Sequence, residues 1–119
     1  MISPQIGIIL ILAIASLAGC ASTIVDGDYI RTSDAVHAPK SDMAPIELFF
    51  GDARPGRDLV VIGKLNARAY VLERGMDELR KQAREIGADA ITSVVYERKF
   101  SVDYLQDLYN ITADAVVYK

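Results

Sequence analysis

The chain has 119 residues, enough for one small domain but too few for two independent hydrophobic cores. Its 13 basic and 16 acidic residues give a net charge of −3, so it lacks the basic surface that binding to nucleic-acid phosphates requires. One cysteine and one histidine cannot form an internal disulfide or a metal site of nitrogen and sulfur ligands, and we expect no metal and no other cofactor.

Residues 1–19 carry no charged side chain and contain an apolar run over residues 6–19. A membrane-spanning helix needs about 20 apolar residues, whereas about 7–15 are typical of the hydrophobic part of a signal peptide. Small residues, Ala18 and Gly19, then precede the only cysteine, Cys20. The pattern predicts a cleaved signal peptide over residues 1–19. An uncleaved single span over residues 6–25 is the alternative that the length alone leaves open.

The tetrapeptide Leu17-Ala18-Gly19-Cys20 resembles the lipobox of bacterial lipoprotein precursors. The resemblance implies cleavage between Gly19 and Cys20, a diacylglycerol thioether on Cys20 and acylation of the new amino terminus. Three acyl chains would make membrane attachment practically permanent, because one myristoyl chain already gives a binding constant of about 10⁴ M⁻¹. Ala21 differs from the aspartate that would resemble an inner-membrane retention signal. We therefore expect an anchor in the outer membrane, with the protein facing the periplasm.

Residues 21–44 show neither helical nor strand periodicity and are rich in Ser, Thr, Asp and Ala. We interpret residues 20–44 as a lipidated cysteine followed by a flexible tether, ahead of a folded domain over residues 45–119. At up to about 3.3 Å per residue, such a tether could hold the domain several tens of ångströms from the lipid. His37 lies in this stretch, without other metal-binding residues at ligand spacing, and is interpreted as a solvated linker residue.

The domain begins with two predicted strands. Residues 46–50 alternate in polarity and end at the turn-forming sequence of residues 51–56. Residues 61–71 alternate more regularly and predict a half-buried strand.

A helix is predicted next, with Gly75 as its N-cap and Gly87 just beyond its C-terminus. Its apolar residues recur at steps of three and four and predict one buried stripe: Leu72, Met76, Leu79, Ala83 and Ile86.

Two further strands are predicted over residues 90–98 and 111–118. The order is β-β-α-β-β, which predicts a small α+β domain with one helix packed on an antiparallel-rich sheet. The helix end and following strand, residues 79–91 with the corner Gly-Ala-Asp-Ala, resemble small YbjQ-like envelope domains and the Rcs stress-sensor lipoprotein. The resemblance implies an oligomeric envelope domain. The metal binding suggested for the first family and the disulfides of the second do not transfer to a chain with one cysteine and one histidine.

The connection between the last two strands, residues 100–109, is unusually rich in large apolar side chains for a loop. It either folds back as a lid over the sheet or offers a partner-binding surface. The candidate partner-binding residues are Phe100, Tyr104, Leu105, Leu108 and Tyr109.

No serine, threonine or cysteine has a histidine partner at a plausible spacing, and the carboxylates are scattered. We therefore expect no enzymatic activity. The favoured hypothesis is an outer-membrane-anchored lipoprotein that acts as a protein-interaction or structural module of the envelope, binding the bilayer through acylated Cys20 and an envelope protein through its domain. The alternative is a homo-oligomeric ligand-binding module of the cell envelope.

Overall fold

The computed structural model describes residues 24–119, in which one helix covers one face of a five-stranded sheet. The bounds of these elements are β1 (Ile24–Arg31), β2 (Glu47–Phe50), β3 (Leu59–Ala69), α1 (Leu72–Ile86), β4 (Ala90–Ser101) and β5 (Gln106–Tyr118). Within the described residues, no helix combines the length and the apolar character needed to cross a membrane.

The strands lie side by side in the order β1-β3-β5-β4-β2. The β1–β3, β3–β5 and β5–β4 pairs are antiparallel, and the edge strand β2 runs parallel to β4. Strands β3 and β4 are therefore parallel to each other with β5 between them, and α1 makes the crossover that connects them. From β2 onward the order is β-β-α-β-β, and the predicted α+β fold with one helix on an antiparallel-rich sheet is confirmed.

The core lies between α1 and the central strands β3, β5 and β4. The predicted apolar stripe of the helix faces this core, and its central residue Leu79 is fully buried. Small side chains on the sheet, among them Ala67 and Ala115, let the helix lie close to the strands.

The helix begins earlier than predicted, because Val71 and not Gly75 is its N-cap. Gly75 lies inside the first turns, where a Cβ atom would collide with the Cδ1 atom of Ile111. Gly75 therefore allows α1 to pack close to β5. Its position near the start of the helix led to its incorrect prediction as the N-cap.

The corner after the helix is built as predicted. Gly87 adopts a left-handed conformation with φ of 81°, and its N–H bonds to the carbonyl of Arg84. Asp89 bonds a nearby amide, since the N–H of Tyr118 donates to its Oδ2 over 2.8 Å.

The structure corrects the predicted tether. Residues 24–31 form β1, which pairs with β3 from Ile24 to Arg31 with one bulge between Ile24 and Asp26. The sequence Asp26-Gly27-Asp28 has the composition of a turn, but Gly27 lies where a Cβ atom would meet the side chains of Gln82 and Glu78. A glycine in this edge strand thus makes room for the helix, and the exposed Asp residues belong to the solvent-facing side of the sheet.

The rest of the predicted tether is also attached to the domain. The N–H of Lys40 donates to the carbonyl of Arg84 over 2.8 Å, and the Nε of Arg84 donates to the carbonyl of Ala44 over 2.8 Å. His37 is half-buried, with its Cβ close to Gly87, so it is not the solvated linker residue that we expected. This segment packs against the C-terminal end of α1 without forming a regular element.

Candidate functional site

The candidate site lies at the end of the sheet where β4 and β5 extend past their neighbours. Strand β3 ends at Ala69, which pairs with Tyr109 of β5. Beyond that point β4 and β5 pair only with each other, through Lys99–Leu108, Phe100–Asp107 and Ser101–Gln106. A four-residue turn, residues 102–105, closes the hairpin. We call residues 99–108 the hairpin arm.

The arm decides between the two interpretations of the apolar connection. Its residues continue the antiparallel ladder of β4 and β5, so they do not fold back over the sheet, and the lid hypothesis is wrong. Both strands are longer than predicted: the first ends at Ser101 instead of residue 98, and the second begins at Gln106 instead of residue 111. The boundaries were missed because the arm carries apolar residues on both faces. That composition hides the alternation of a half-buried strand.

Three of the predicted partner-binding residues lie exposed on the arm. The side chains of Phe100, Tyr104 and Leu105 are 60%, 66% and 75% exposed. Val102, which the sequence analysis did not single out, is 77% exposed at the start of the turn. Exposed aromatic and branched apolar groups this close together are typical of a surface that binds another molecule.

The two remaining candidates, Leu108 and Tyr109, have different surroundings. Both are half-buried, and Tyr109 packs against the hydrophobic core. Its ring also meets the ring of Tyr96 edge-on, with centroids 6.0 Å apart. Tyr109 therefore stabilises the base of the arm, while Phe100, Tyr104 and Leu105 form its free end.

The free end of the arm lies near the junction between β3 and α1. The rings of Tyr104 and Tyr70 are tilted against each other with centroids 5.4 Å apart. Val71, the N-cap of the helix, is 44% exposed at the same end of the domain. These residues could not be assigned to the site from the sequence, because the contact depends on how far the hairpin extends.

The turn has an unusual backbone residue. Leu105 has a φ of 52°, a left-handed conformation that a large side chain rarely adopts. A glycine or asparagine would fit this position with less strain, and the leucine side chain is exposed, so burial does not compensate the strain. Leucine at this point of the turn favours a role in binding over a role in folding.

The sheet face opposite the helix carries a ladder of paired polar groups. Arg68 binds Asp26 through two nitrogen atoms, Lys64 reaches Asp114 over 2.6 Å, and the Nδ2 of Asn66 donates to Asn110 over 3.0 Å. The hydrogen bonds from Arg68 lower the pKa of Asp26 below its ordinary range, against a smaller opposing effect of burial.

A shallow cavity of about 380 Å³ lies on this face between β1 and β5. Its polar lining includes Lys64, Asn66 and Asp114, which already pair with neighbouring side chains. Within residues 24–119 no three His, Cys, Asp or Glu side chains are grouped so that they could hold a metal ion.

The predicted lipidation and cleavage residues, Gly19 and Cys20, lie outside the described residues, as does the predicted signal peptide. The first described strand begins at Ile24, four positions after Cys20.

Comparison with models of known protein families gave no match, and neither did comparison with curated proteins. Among solved structures, the chain is similar to the crystal structure of the Francisella virulence factor FvfA in the orthorhombic form. The TM-score is 0.54 and the identity 14%, over 76% of this chain and 96% of that chain. At this identity the likeness concerns the fold: the chain shares the architecture of that small domain.

Proposed function

We propose that the protein is a lipoprotein of the bacterial outer membrane, anchored by acylated Cys20, which binds another component of the cell envelope through its hairpin arm. The domain acts by binding and not by catalysis. The lipobox-like sequence before Cys20 supports the anchor. The arm supports the binding role.

The observation that carries this proposal is the contrast between a closed core and an exposed apolar arm. The core side chains of α1 and the central strands, such as Leu79 and Ile111, are fully buried. The apolar residues of the arm are therefore not needed to complete the core. Small soluble proteins rarely expose a group of large apolar side chains to water unless those side chains contact a partner.

The opposite sheet face supports a binding module over an enzyme. Its charged residues, including Arg68 and Lys64, are held in ion pairs across neighbouring strands. General acids and bases usually have pKa values shifted toward the working pH, whereas the ion pair with Arg68 shifts the pKa of Asp26 away from it.

The anchor is tested by Cys20→Ser in the full chain expressed in a Gram-negative host. We expect the normal protein to sediment with outer-membrane vesicles and to carry the mass of an acylated amino-terminal cysteine. The Ser variant should lose both the lipid mass and the sedimentation. Unchanged processing and sedimentation of Cys20→Ser would contradict the anchor.

The arm is tested by a photo-crosslinking amino acid placed at Tyr104 in intact cells. We expect an adduct at this position and none from the same amino acid at Gly56, where an added side chain meets open space. The mass of the adduct identifies whether the bound component is a protein or a lipid. Equal labelling at both positions, or none at either, would contradict binding through the arm.

A further inference from the structure

The hairpin arm and the chain leading to Cys20 leave the domain at the same end. Ile24, the first residue of β1, pairs with Ala69 of β3, and Ala69 in turn pairs with Tyr109 of β5. This row marks the end of the sheet. Three further residue pairs and the turn of the arm extend beyond it in the direction in which β1 begins.

The segment leading to Cys20 and the hairpin arm extend over similar distances beyond the end of the sheet. Ile24 follows Cys20 by four positions, with three residues between them, so the lipidated cysteine can lie at most about 14 Å beyond the end of the sheet. The three residue pairs of the arm extend about 10 Å beyond the same row, and the turn adds to that length. A domain held at so short a distance from an acylated Cys20 can therefore place the turn of its arm at the level of the lipid headgroups.

The side chains at the turn suit that location. Phe100, Val102, Tyr104 and Leu105 are all mostly exposed, and tyrosine is among the residues enriched where protein meets the membrane interface. The arm carries one basic residue, Lys99, and two acidic ones, Asp103 and Asp107. Its attraction to lipid would come from apolar contact and would not require anionic headgroups.

We propose that the turn of the hairpin arm inserts into the headgroup region of the bilayer that holds Cys20. This inference rests on the proposed function and names the component bound by the arm as the membrane surface itself. The domain then has two lipid contacts, the anchor and the arm, which fix its orientation. The polar face of its sheet is then roughly perpendicular to the membrane plane and accessible to the periplasm.

The chain contains no tryptophan, so one introduced tryptophan is a unique fluorescent probe. Val102→Trp places the probe in the turn, and Gly56→Trp places it in an exposed loop beside Arg57, whose guanidinium stacks on Tyr118 at the other end of the sheet. Each full-length lipidated variant is reconstituted in phosphatidylethanolamine–phosphatidylcholine vesicles, with or without brominated phosphatidylcholine as quencher. We expect brominated lipid to reduce the emission of Val102→Trp at least about twofold and to leave Gly56→Trp nearly unchanged.

A double variant separates insertion by the native residues from the preference of tryptophan for interfaces. Adding Leu105→Asp to Val102→Trp puts a charge in the turn, at a left-handed position that aspartate accepts more readily than leucine. We expect this change to abolish most of the quenching, and raised salt to leave the quenching of Val102→Trp unchanged.

Two results would overturn the inference in different ways. Equal emission with and without brominated lipid in lipidated Val102→Trp would show that the arm does not reach the bilayer, while the anchor and a protein partner for the arm would stand. Absence of the acyl mass from the purified full chain would remove the anchor, and the inference with it.

Discussion

The two halves of the β4–β5 pair show how differently the same ladder can be used. At one end Ile91 and Ala115 are fully buried in the core that α1 covers. At the other end Phe100 and Leu105 are mostly in solvent, although the backbone pairing resumes after a bulge between Thr92 and Val95 and continues to Ser101. Beyond the core the arm is held by sheet hydrogen bonds, with the Tyr104–Tyr70 ring contact and the Arg98–Asp107 ion pair beside them. The apolar residues at the covered end serve packing, and we propose that those on the arm serve contact with another molecule.

The strongest test of this contrast is a cavity in the covered region. Leu79 is fully buried and lies in the middle of the helix stripe. Leu79→Ala should lower the free energy of unfolding by about 2–5 kcal/mol, because it removes buried apolar surface and leaves a cavity. Denaturant unfolding followed by circular dichroism measures the loss. A loss below about 1 kcal/mol would mean that the helix is not held by this core.

The second largest effect is expected at the corner between α1 and β4. In Gly87→Ala the alanine must keep the left-handed backbone conformation of Gly87, which is unfavourable for a residue with a Cβ. The added Cβ also meets the carbonyl oxygen of Ala38 at 2.5 Å. We expect a loss of about 2–3 kcal/mol, of which the conformation alone accounts for about 1–2. Gly56→Ala is the matched control, since its Cβ meets open space and should leave the unfolding midpoint unchanged.

The covered region could be predicted from the sequence because local pattern and packing agree there. The apolar stripe from Leu72 to Ile86 has the period of a helix, and the alternation in β3 has the period of a strand. Gly87 is the residue type expected where a helix ends. Gly75 was misassigned, and so was Val71, which was predicted to lie in the strand but is the N-cap of the helix. The role of Gly75 depends on the distance between α1 and Ile111, which a sequence pattern does not contain.

The missed parts owe their structure to long-range contacts. Strand β1 has a glycine between two aspartates, and only its pairing with β3 and the side chain of Gln82 against Gly27 make it a strand. The extent of the arm likewise depends on pairing between Lys99 and Leu108. The sequence identified the candidate residues of the arm. It could not predict that they lie together at one end of the sheet, beside the start of β1.

A smaller effect is expected from the contact that joins the residue 37–44 segment to the covered region. Partial burial opposes ionisation of Asp89, but the Lys40 ammonium at 2.9 Å, the Tyr118 N–H and the nearby Arg57 outweigh it and lower the pKa of Asp89. A lowered pKa stabilises the fold above the unfolded-state pKa of about 3.9, and this contribution disappears as the pH falls through the folded-state value.

Asp89→Asn should therefore lower the free energy of unfolding by about 1 kcal/mol at pH 7. The difference from the unchanged protein should shrink as the pH falls below about 4. Unfolding measured from pH 7 to pH 2.5 checks both expectations. Asp103→Asn, in the exposed turn, should change the stability at neither pH. A pH-independent loss in Asp89→Asn would show that the lost interaction is not the ionic one.

The smallest effect on stability is expected on the arm. Tyr104→Ser combined with Leu105→Ser should lower the free energy of unfolding by less than about 1 kcal/mol, because both side chains are mostly in solvent and the main loss is the partly exposed ring contact between Tyr104 and Tyr70. Tyr109→Ser is the matched comparison, since Tyr109 packs against the core and the ring of Tyr96, and should cost about 2 kcal/mol. Thermal unfolding measures both, and crosslinking from a probe at position 102 measures binding. Normal melting and lost crosslinking in the arm variant would show that the arm serves binding and the covered region serves packing. Equal destabilisation by both variants would instead show that the arm is part of the core.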